Sequence, residues 1–397
     1  MTLFVAMAAA IGIATAAPPR LGVDVLLADS LHLVRGRAVG LVTNYAAVDA
    51  QGVSVVERLR AGGVRLVALF SPEHGFRGAA DPGEAVASSI DSATGLPIHS
   101  LYGRTSRPTD EMLAGVEVLL VDLPDVGARY YTYLHTTMEV MHAAGPKGVR
   151  VIVLDRPNPI GGTVGGNILD LAYRSGVGSL AMPIRHGMTL GEQARLARRD
   201  DRIDVDLVVV PAAGWRRKAD GIVTGLPFLP PSPNLKDLES LFHYPGTCLF
   251  EGTALSVGRG TDRPFHQIGA PWLDTTAVLA IARRAGLPGV EFMGVTFTPV
   301  KPGDGKHAGV PVVGIRLRMT DRRRYDPIRT TLVLLGAVRS VHPDRIGFVP
   351  RQFDRLAGGP GIREAIEAGV EPRRILDGWK PALKQWQRRT KDLLLYR

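Results

Sequence analysis

Val64-Arg65-Leu66-Val67-Ala68-Leu69-Phe70, running on into Ser71-Pro72-Glu73-His74-Gly75-Phe76-Arg77-Gly78, governs the reading of this chain. The first half is a short apolar run of the kind a buried strand makes. The second half breaks that run with Pro and Gly and sets a Glu-His pair between them. In open α/β sheets, ligands bind in the crevice outside the carboxyl ends of the strands. A carboxylate and an imidazole at that position are placed for chemistry, because loops held by a rigid scaffold concentrate functional side chains. The plainer reading is that Glu73 caps a turn.

The same grammar repeats on either side. Residues 38–43 read as a strand and 53–61 as the helix behind it. A short helix around 110–114 precedes a strand at 116–122. A helix at 133–144 leads to a strand at 150–155, and another strand is expected at 205–210. Thr189 and Glu192 form a Ser/Thr-x-x-Glu capping box that starts a helix running through Arg199. Near-continuous Val/Ile/Leu strands separated by helices predict a mostly parallel sheet covered on both faces. Residues 211–233 are rich in Gly and Pro and read as a connection. Beyond them come a helix at 274–285, strands at 290–297 and 310–319, and helices at 327–341, 361–368 and 381–395. The expected division is an α/β domain over 21–212 and a smaller α+β domain over 213–397.

A chain of 397 residues suits two domains. Hydrophobic content of 45% with 22% charged residues is that of a globular protein. The net charge of +10 is compatible with an anionic polymer as partner. Basic residues are not clustered with aromatics, which argues against nucleic acid. Residues 3–17 are almost wholly apolar and end in Ala14-Thr15-Ala16-Ala17, so residues 1–17 are expected to act as a signal peptide, although no Lys or Arg precedes the apolar run. Secretion or a periplasmic location follows from that reading. The apolar run is shorter than the ~20 residues that a membrane-spanning helix needs. Cys248 is the single cysteine, which excludes an internal disulfide and a cysteine metal cluster.

Familiar catalytic patterns are absent from the sequence. The first strand is followed by Thr43-Asn44-Tyr45-Ala46 rather than Gly-x-Gly-x-x-Gly, there is no P-loop, and no Gly-x-Ser-x-Gly elbow occurs. The histidines have no metal-ligand spacing, so no metal and no cofactor are expected. The polar content lies at the strand ends instead. Asp122-Leu123-Pro124-Asp125-Val126-Gly127-Ala128-Arg129-Tyr130-Tyr131-Thr132-Tyr133 follows the third strand, and Asp155-Arg156-Pro157-Asn158-Pro159 follows the fourth. With Glu73 and His74 they would converge on one sheet edge. Each also has a structural reading: Arg129 as partner of Asp122 or Asp125, the tyrosines as packing, Asp155 to Asn158 as a turn held by Asx-type bonds. In the second half, Tyr244 to Thr253 and Gly258-Arg259-Gly260-Thr261-Asp262-Arg263 form another loop region. There Arg259 and Arg263 suit a carboxylate or phosphate, or else make surface salt bridges to Glu251 or Asp262.

Together these segments resemble the NamZ/YbbC-like family of exo-β-N-acetylmuramidases. The marks are Pro72-Glu73-His74-Gly75, Asp125 to Tyr133, Leu154 to Pro159, Ile184-Arg185-His186-Gly187-Met188-Thr189, Tyr244 to Glu251, Gly258 to Thr261 and Lys306-His307-Ala308-Gly309. Leu123-Pro124 and Asn44-Tyr45-Ala46-Ala47 depart from the family pattern. The resemblance implies a Rossmann-like domain joined to a smaller C-terminal domain, with the active site in the cleft between them. It implies release of N-acetylmuramic acid from the non-reducing ends of peptidoglycan fragments such as muropeptides and MurNAc-GlcNAc. Glycoside hydrolysis needs a proton donor and a second group at the anomeric carbon. Glu73 is the expected acid; the 2-acetamido group of the substrate can supply its own nucleophilic oxygen, and Tyr131 and Asp125 are the candidates to orient it. His74, Arg129, Tyr133, Asp155, Arg156, Asn158, Glu251 and Arg259 are the expected substrate-binding residues, with an Arg for the lactyl carboxylate. The competing readings are a non-catalytic muropeptide-binding protein and a hydrolase of another 2-acetamido sugar.

Overall fold

Strand β1 (Val39–Thr43) is buried along its whole length and sits in the middle of a seven-stranded sheet. The computed structural model describes residues 18–78, 80 and 83–397; the expected signal peptide lies outside the described residues. The other strands of this sheet are β2 (Leu66–Ser71), β3 (Ser89–Ile90), β4 (Pro97–Ser100), β5 (Val118–Asp122), β6 (Arg150–Leu154) and β9 (Leu207–Val210). Their order is β3-β4-β2-β1-β5-β6-β9, parallel throughout except for β3, which runs antiparallel along the β4 edge. Between β6 and β9 the chain makes a small hairpin of β7 (Gly165–Ile168) and β8 (Pro183–Arg185).

From β1 the chain passes to β2 on one side, and later returns to β5 on the other. Such a reversal of direction opens a crevice at the carboxyl ends of the flanking strands. The loops that follow β2 and β5 therefore face one another across the end of β1. Helices Val55–Ala61, Tyr133–Ala144 and Leu190–Asp200 make the crossovers. The last starts with the expected capping box, Thr189 accepting from the Glu192 N–H and Glu192 from the Thr189 N–H.

The second half carries a three-stranded antiparallel sheet. Strand β12 (Val312–Met319) lies between β10 (Gln267–Ala270) and β11 (Val290–Phe297). One continuous apolar core, from Val42 to Leu393, joins this half to the large sheet. The end of the chain returns to the carboxyl end of β6. Tyr396 Oη donates to Asp155 Oδ2 at 2.6 Å, and the Leu395 N–H donates to Glu192 at 2.7 Å.

Some local expectations do not hold. Residues 110–115 form turns rather than a helix. So short a stretch gains too few bonds to offset helix nucleation. Tyr244 to Thr247, expected as loop, is the end of helix Leu238–Thr247, capped by Asp237. Pro245 sits in its last turn, where little of the helix remains to be broken. The final helix starts at Pro372 and ends at Thr390, with Pro381 inside it. Two prolines suited to a first turn stand nine positions apart, and sequence alone favoured the wrong one.

Candidate active site

Strand β2 ends at Ser71, and the chain turns sharply just beyond it. His74 holds φ at +71° and Gly75 at +74°. A left-handed residue other than glycine costs roughly 1–2 kcal/mol, which packing around it must offset. His74 is buried, and its Nδ1 lies 3.0 Å from the Ala80 carbonyl oxygen. The turn leaves the Glu73 carboxylate at the carboxyl edge of the sheet. One of its oxygens accepts from the Gly83 N–H at 3.1 Å and the other from Thr132 Oγ1 at 2.8 Å. Tyr102, just past β4, also hydrogen-bonds to it. Burial, and next the nearby Glu73 charge, push the Tyr102 hydroxyl up to about 12, so it remains a donor at neutral pH.

Beyond β5, three tyrosines follow the Gly127 turn and anchor the connection between the halves. Tyr131 and Tyr133 donate to the Pro231 carbonyl at 2.8 and 3.1 Å, and Tyr130 donates to the Pro245 carbonyl. Burial raises Tyr131 well above the ordinary phenol range, and its proton is already committed. Tyr131 therefore presents a neutral ring face rather than a nucleophile.

The opposite wall comes from the C-terminal half. Arg259 is buried, with Nε 2.6 Å from Glu251 Oε1 and the guanidinium 5.2 Å from the centre of the Phe265 ring. Burial alone would lower the Arg259 guanidinium, but the adjacent Glu251 charge more than reverses this, and it is raised. Its Nη1 has no hydrogen-bond partner among the described residues. Lys306 Nζ donates to the carbonyls of Phe250, Glu251 and Leu255, which fixes the strand of chain carrying Glu251. These groups enclose a cavity of about 260 Å³ between the halves, with Asp304 and Arg355 also on its walls. One Asp304 oxygen, Oδ2, is buried and unpartnered among the described residues. Arg355 is exposed.

The cavity thus gathers Glu73, His74, Tyr131, Glu251 and Arg259, with Tyr133 edge-on to Tyr131 at 4.5 Å between ring centres. The remaining expected residues lie elsewhere. Arg129 gives its guanidinium to four carbonyls, those of Asn167, Met182, Leu356 and Ala357, at 2.8–3.1 Å. Burial lowers it to about 10, and it ties the β5 loop to helix Pro350–Ala357. Asp125 accepts from the Gly127 N–H at 3.0 Å and from Gln193 at 3.2 Å, and lies 3.4 Å from His186. Asp125 and Arg156 border a separate cavity, and Arg156 is paired with Asp122. Asp155 accepts from Thr189, Gly191 and Tyr396, and burial raises it to about 6. Asn158 bonds to Met188 O and the Ile160 N–H, the Asx-type turn of the alternative reading.

Tyr102, Thr132, Asp304 and Arg355 are among the lining residues that were not foreseen. Thr132 stood inside the tyrosine segment, and Tyr102 follows the short strand β4, which sequence did not reveal. Sequence spacing also gave no metal pattern, yet Glu239, His243 and His266 come together with ligand atoms within 4.8 Å of one another. Each is already hydrogen-bonded: His243 to Tyr325 and Glu239, His266 to Asp237, and Glu239 to the Met319 N–H.

Comparison with known proteins places the whole chain. Residues 39–239 match the N-terminal part of the exo-beta-N-acetylmuramidase NamZ family and residues 242–396 its C-terminal part. The chain belongs to the NamZ exo-β-N-acetylmuramidase family. It is 42% identical to the peptidoglycan beta-N-acetylmuramidase NamZ of Bacillus subtilis, over 96% of this chain and 93% of that protein. Two crystal structures of DUF1343 family proteins from Bacteroides fragilis share its architecture. One has a TM-score of 0.87 at 32% identity and the other 0.77 at 31%, each covering 96% of this chain and 99% of its own. Within the NamZ framework, both matched parts contribute walls to the cavity around Glu73.

Proposed function

We propose that this protein is an exo-β-N-acetylmuramidase that frees N-acetylmuramic acid from the non-reducing ends of peptidoglycan fragments. Glu73 is its general acid. The observation that carries this reading is the half-buried Glu73 carboxylate, held by Thr132 and Gly83 on the wall of a cavity whose far side holds Arg259. A fixed carboxyl beside a partly dry pocket is the arrangement that delivers a proton to a glycosidic oxygen.

The other walls divide the remaining work. The unpartnered Arg259 Nη1 is a charge-assisted donor for the lactyl carboxylate, and Arg355 adds positive charge at the rim. Asp304, whose Oδ2 is unpartnered among the described residues, takes the place considered for Asp125: it holds the N–H of the substrate's 2-acetamido group while the amide oxygen approaches the anomeric carbon. Tyr131 offers its ring to the sugar face. Glu251 sets Arg259 in place. Export of the chain by residues 1–17 belongs to the same proposal, and amino-terminal sequencing of protein recovered from the cell envelope tests it.

The decisive experiment compares a chromogenic β-N-acetylmuramide with the matching N-acetylglucosaminide. Turnover of the muramide alone supports the reading. Equal turnover of both points to another 2-acetamido sugar, and binding without turnover points to a non-catalytic muropeptide receptor.

A further inference from the structure

A second concavity, of about 800 Å³, adjoins the catalytic cavity and meets it at Gly303, which lines both. Three chain segments divide their residues between the two. Ser232 and Leu235 face the catalytic cavity, whereas Asn234 and Lys236 face the groove. Arg259 faces the cavity and Thr261 the groove; Asp304 faces the cavity and Lys301 the groove. The groove therefore opens from the cavity on its C-terminal side.

Its charge is one-sided. Lys236, Lys301 and Arg316 line it, and none of them makes an ion pair with a described residue. Lys236 Nζ donates to the Thr261 carbonyl at 2.8 Å, and Arg316 donates to the neutral Gln267 Oε1 at 2.8 and 3.1 Å. The one acidic residue on the lining, Asp262, lies 3.9 Å from Arg263 and is mostly exposed. Hydroxyl and amide groups from Thr296, Thr298 and Asn234 complete a surface suited to a hydrated, anionic chain.

An exo-acting enzyme seats only the terminal sugar in its pocket, so the leaving part of the substrate must lie in whatever opening the pocket has. In a peptidoglycan strand, the next acidic sugar lies two units from the terminal one. We infer that this groove binds the leaving glycan through a carboxylate on that second muramyl unit, either the free lactyl group or the acids of an attached stem peptide. The inference rests on the muramidase reading above and adds the site that selects longer, more acidic fragments.

The test uses three substrates: MurNAc-GlcNAc, the peptide-free tetrasaccharide, and the tetrasaccharide carrying stem peptides. The wild-type enzyme should show a lower KM for at least one tetrasaccharide than for the disaccharide. The arm with the larger gain identifies the carboxylate. Lys301→Glu should erase that gain, raising the tetrasaccharide KM about tenfold, the equivalent of ~1.4 kcal/mol. Arg316→Gln should act in the same direction, and added salt should mimic both. Equal KM for all three wild-type substrates, or Lys301→Glu with an unchanged tetrasaccharide KM, would overturn the inference. If the wild-type enzyme cleaves no muramide, calorimetric binding of the tetrasaccharides to wild-type and Lys301→Glu protein still decides the groove independently of catalysis.

Discussion

The Thr132 hydroxyl donates to Glu73 Oε2 at 2.8 Å, linking the loop after β5 to the loop after β2 across the end of β1. Neither loop sets the carboxylate by itself. Glu73→Gln keeps its size and an acceptor but has no proton to deliver. Loss of general acid catalysis costs ~10²–10⁴-fold in rate. The variant should fold, bind muramic acid ligands and be nearly inactive on natural fragments. A substrate with a strongly acidic leaving group should be largely spared. Wild-type turnover on natural fragments would remove Glu73 from this role.

Arg259 calls for a conservative test. Truncating it would strand the Glu251 carboxylate in a buried site, a change that typically costs ~3–5 kcal/mol and obscures any effect on specificity. Arg259→Lys keeps the charge and loses the fork. The ratio of kcat/KM for muramide over glucosaminide should fall about tenfold or more, with the melting temperature little altered. An unchanged ratio moves carboxylate recognition to Arg355, where Arg355→Leu is then the informative variant.

Arg129 should behave as a structural residue. Arg129→Met leaves carbonyls of Asn167, Met182, Leu356 and Ala357 without their donor, a loss of about 2–5 kcal/mol. Thermal or urea unfolding should record that loss, while the KM for a muramide in the surviving folded enzyme stays near wild type. A selective rise in KM without destabilisation would return Arg129 to the binding machinery.

Asp155 makes stability depend on pH in a defined direction. Its carboxyl is raised to about 6 by burial, against an unfolded value near 3.8. The protonated form is favoured in the native state, so this contribution is complete below about pH 4 and disappears as pH rises through 6. Its full size is ~3 kcal/mol. Asp155→Asn should remove this component, leaving a smaller fall in unfolding free energy between pH 4 and 6 than in the wild type. Identical pH slopes in the two proteins would contradict the assignment.

The parallel sheet was legible because β1, β2, β5 and β6 are buried on both faces and therefore read as unbroken apolar runs. Glu73 was legible for the same reason, as the first ionisable group after such a run. The rest of the site depended on tertiary partners that a linear reading does not rank. Arg129 and Arg259 look equally suited to an anion, yet one meets four carbonyls and the other a single carboxylate and an open cavity. Arg355 lies in a stretch with no strand-end signal and Asp304 in a loop between two strands of the other half, and only folding brings them to the cavity of Glu73.

The Tyr396–Asp155 bond also sets a timetable. Asp155 is synthesised 241 residues before Tyr396, one of its two hydroxyl partners. Until then the Asp155 carboxylate lacks its Tyr396 donor and Glu192 lacks the Leu395 N–H. The large sheet can assemble early, but the bonds from Leu395 and Tyr396 form only after the C-terminal half has been translated. Nascent chains stalled before residue 396 should therefore be more open to protease near Asp155 than chains in which Tyr396 has cleared the ribosome.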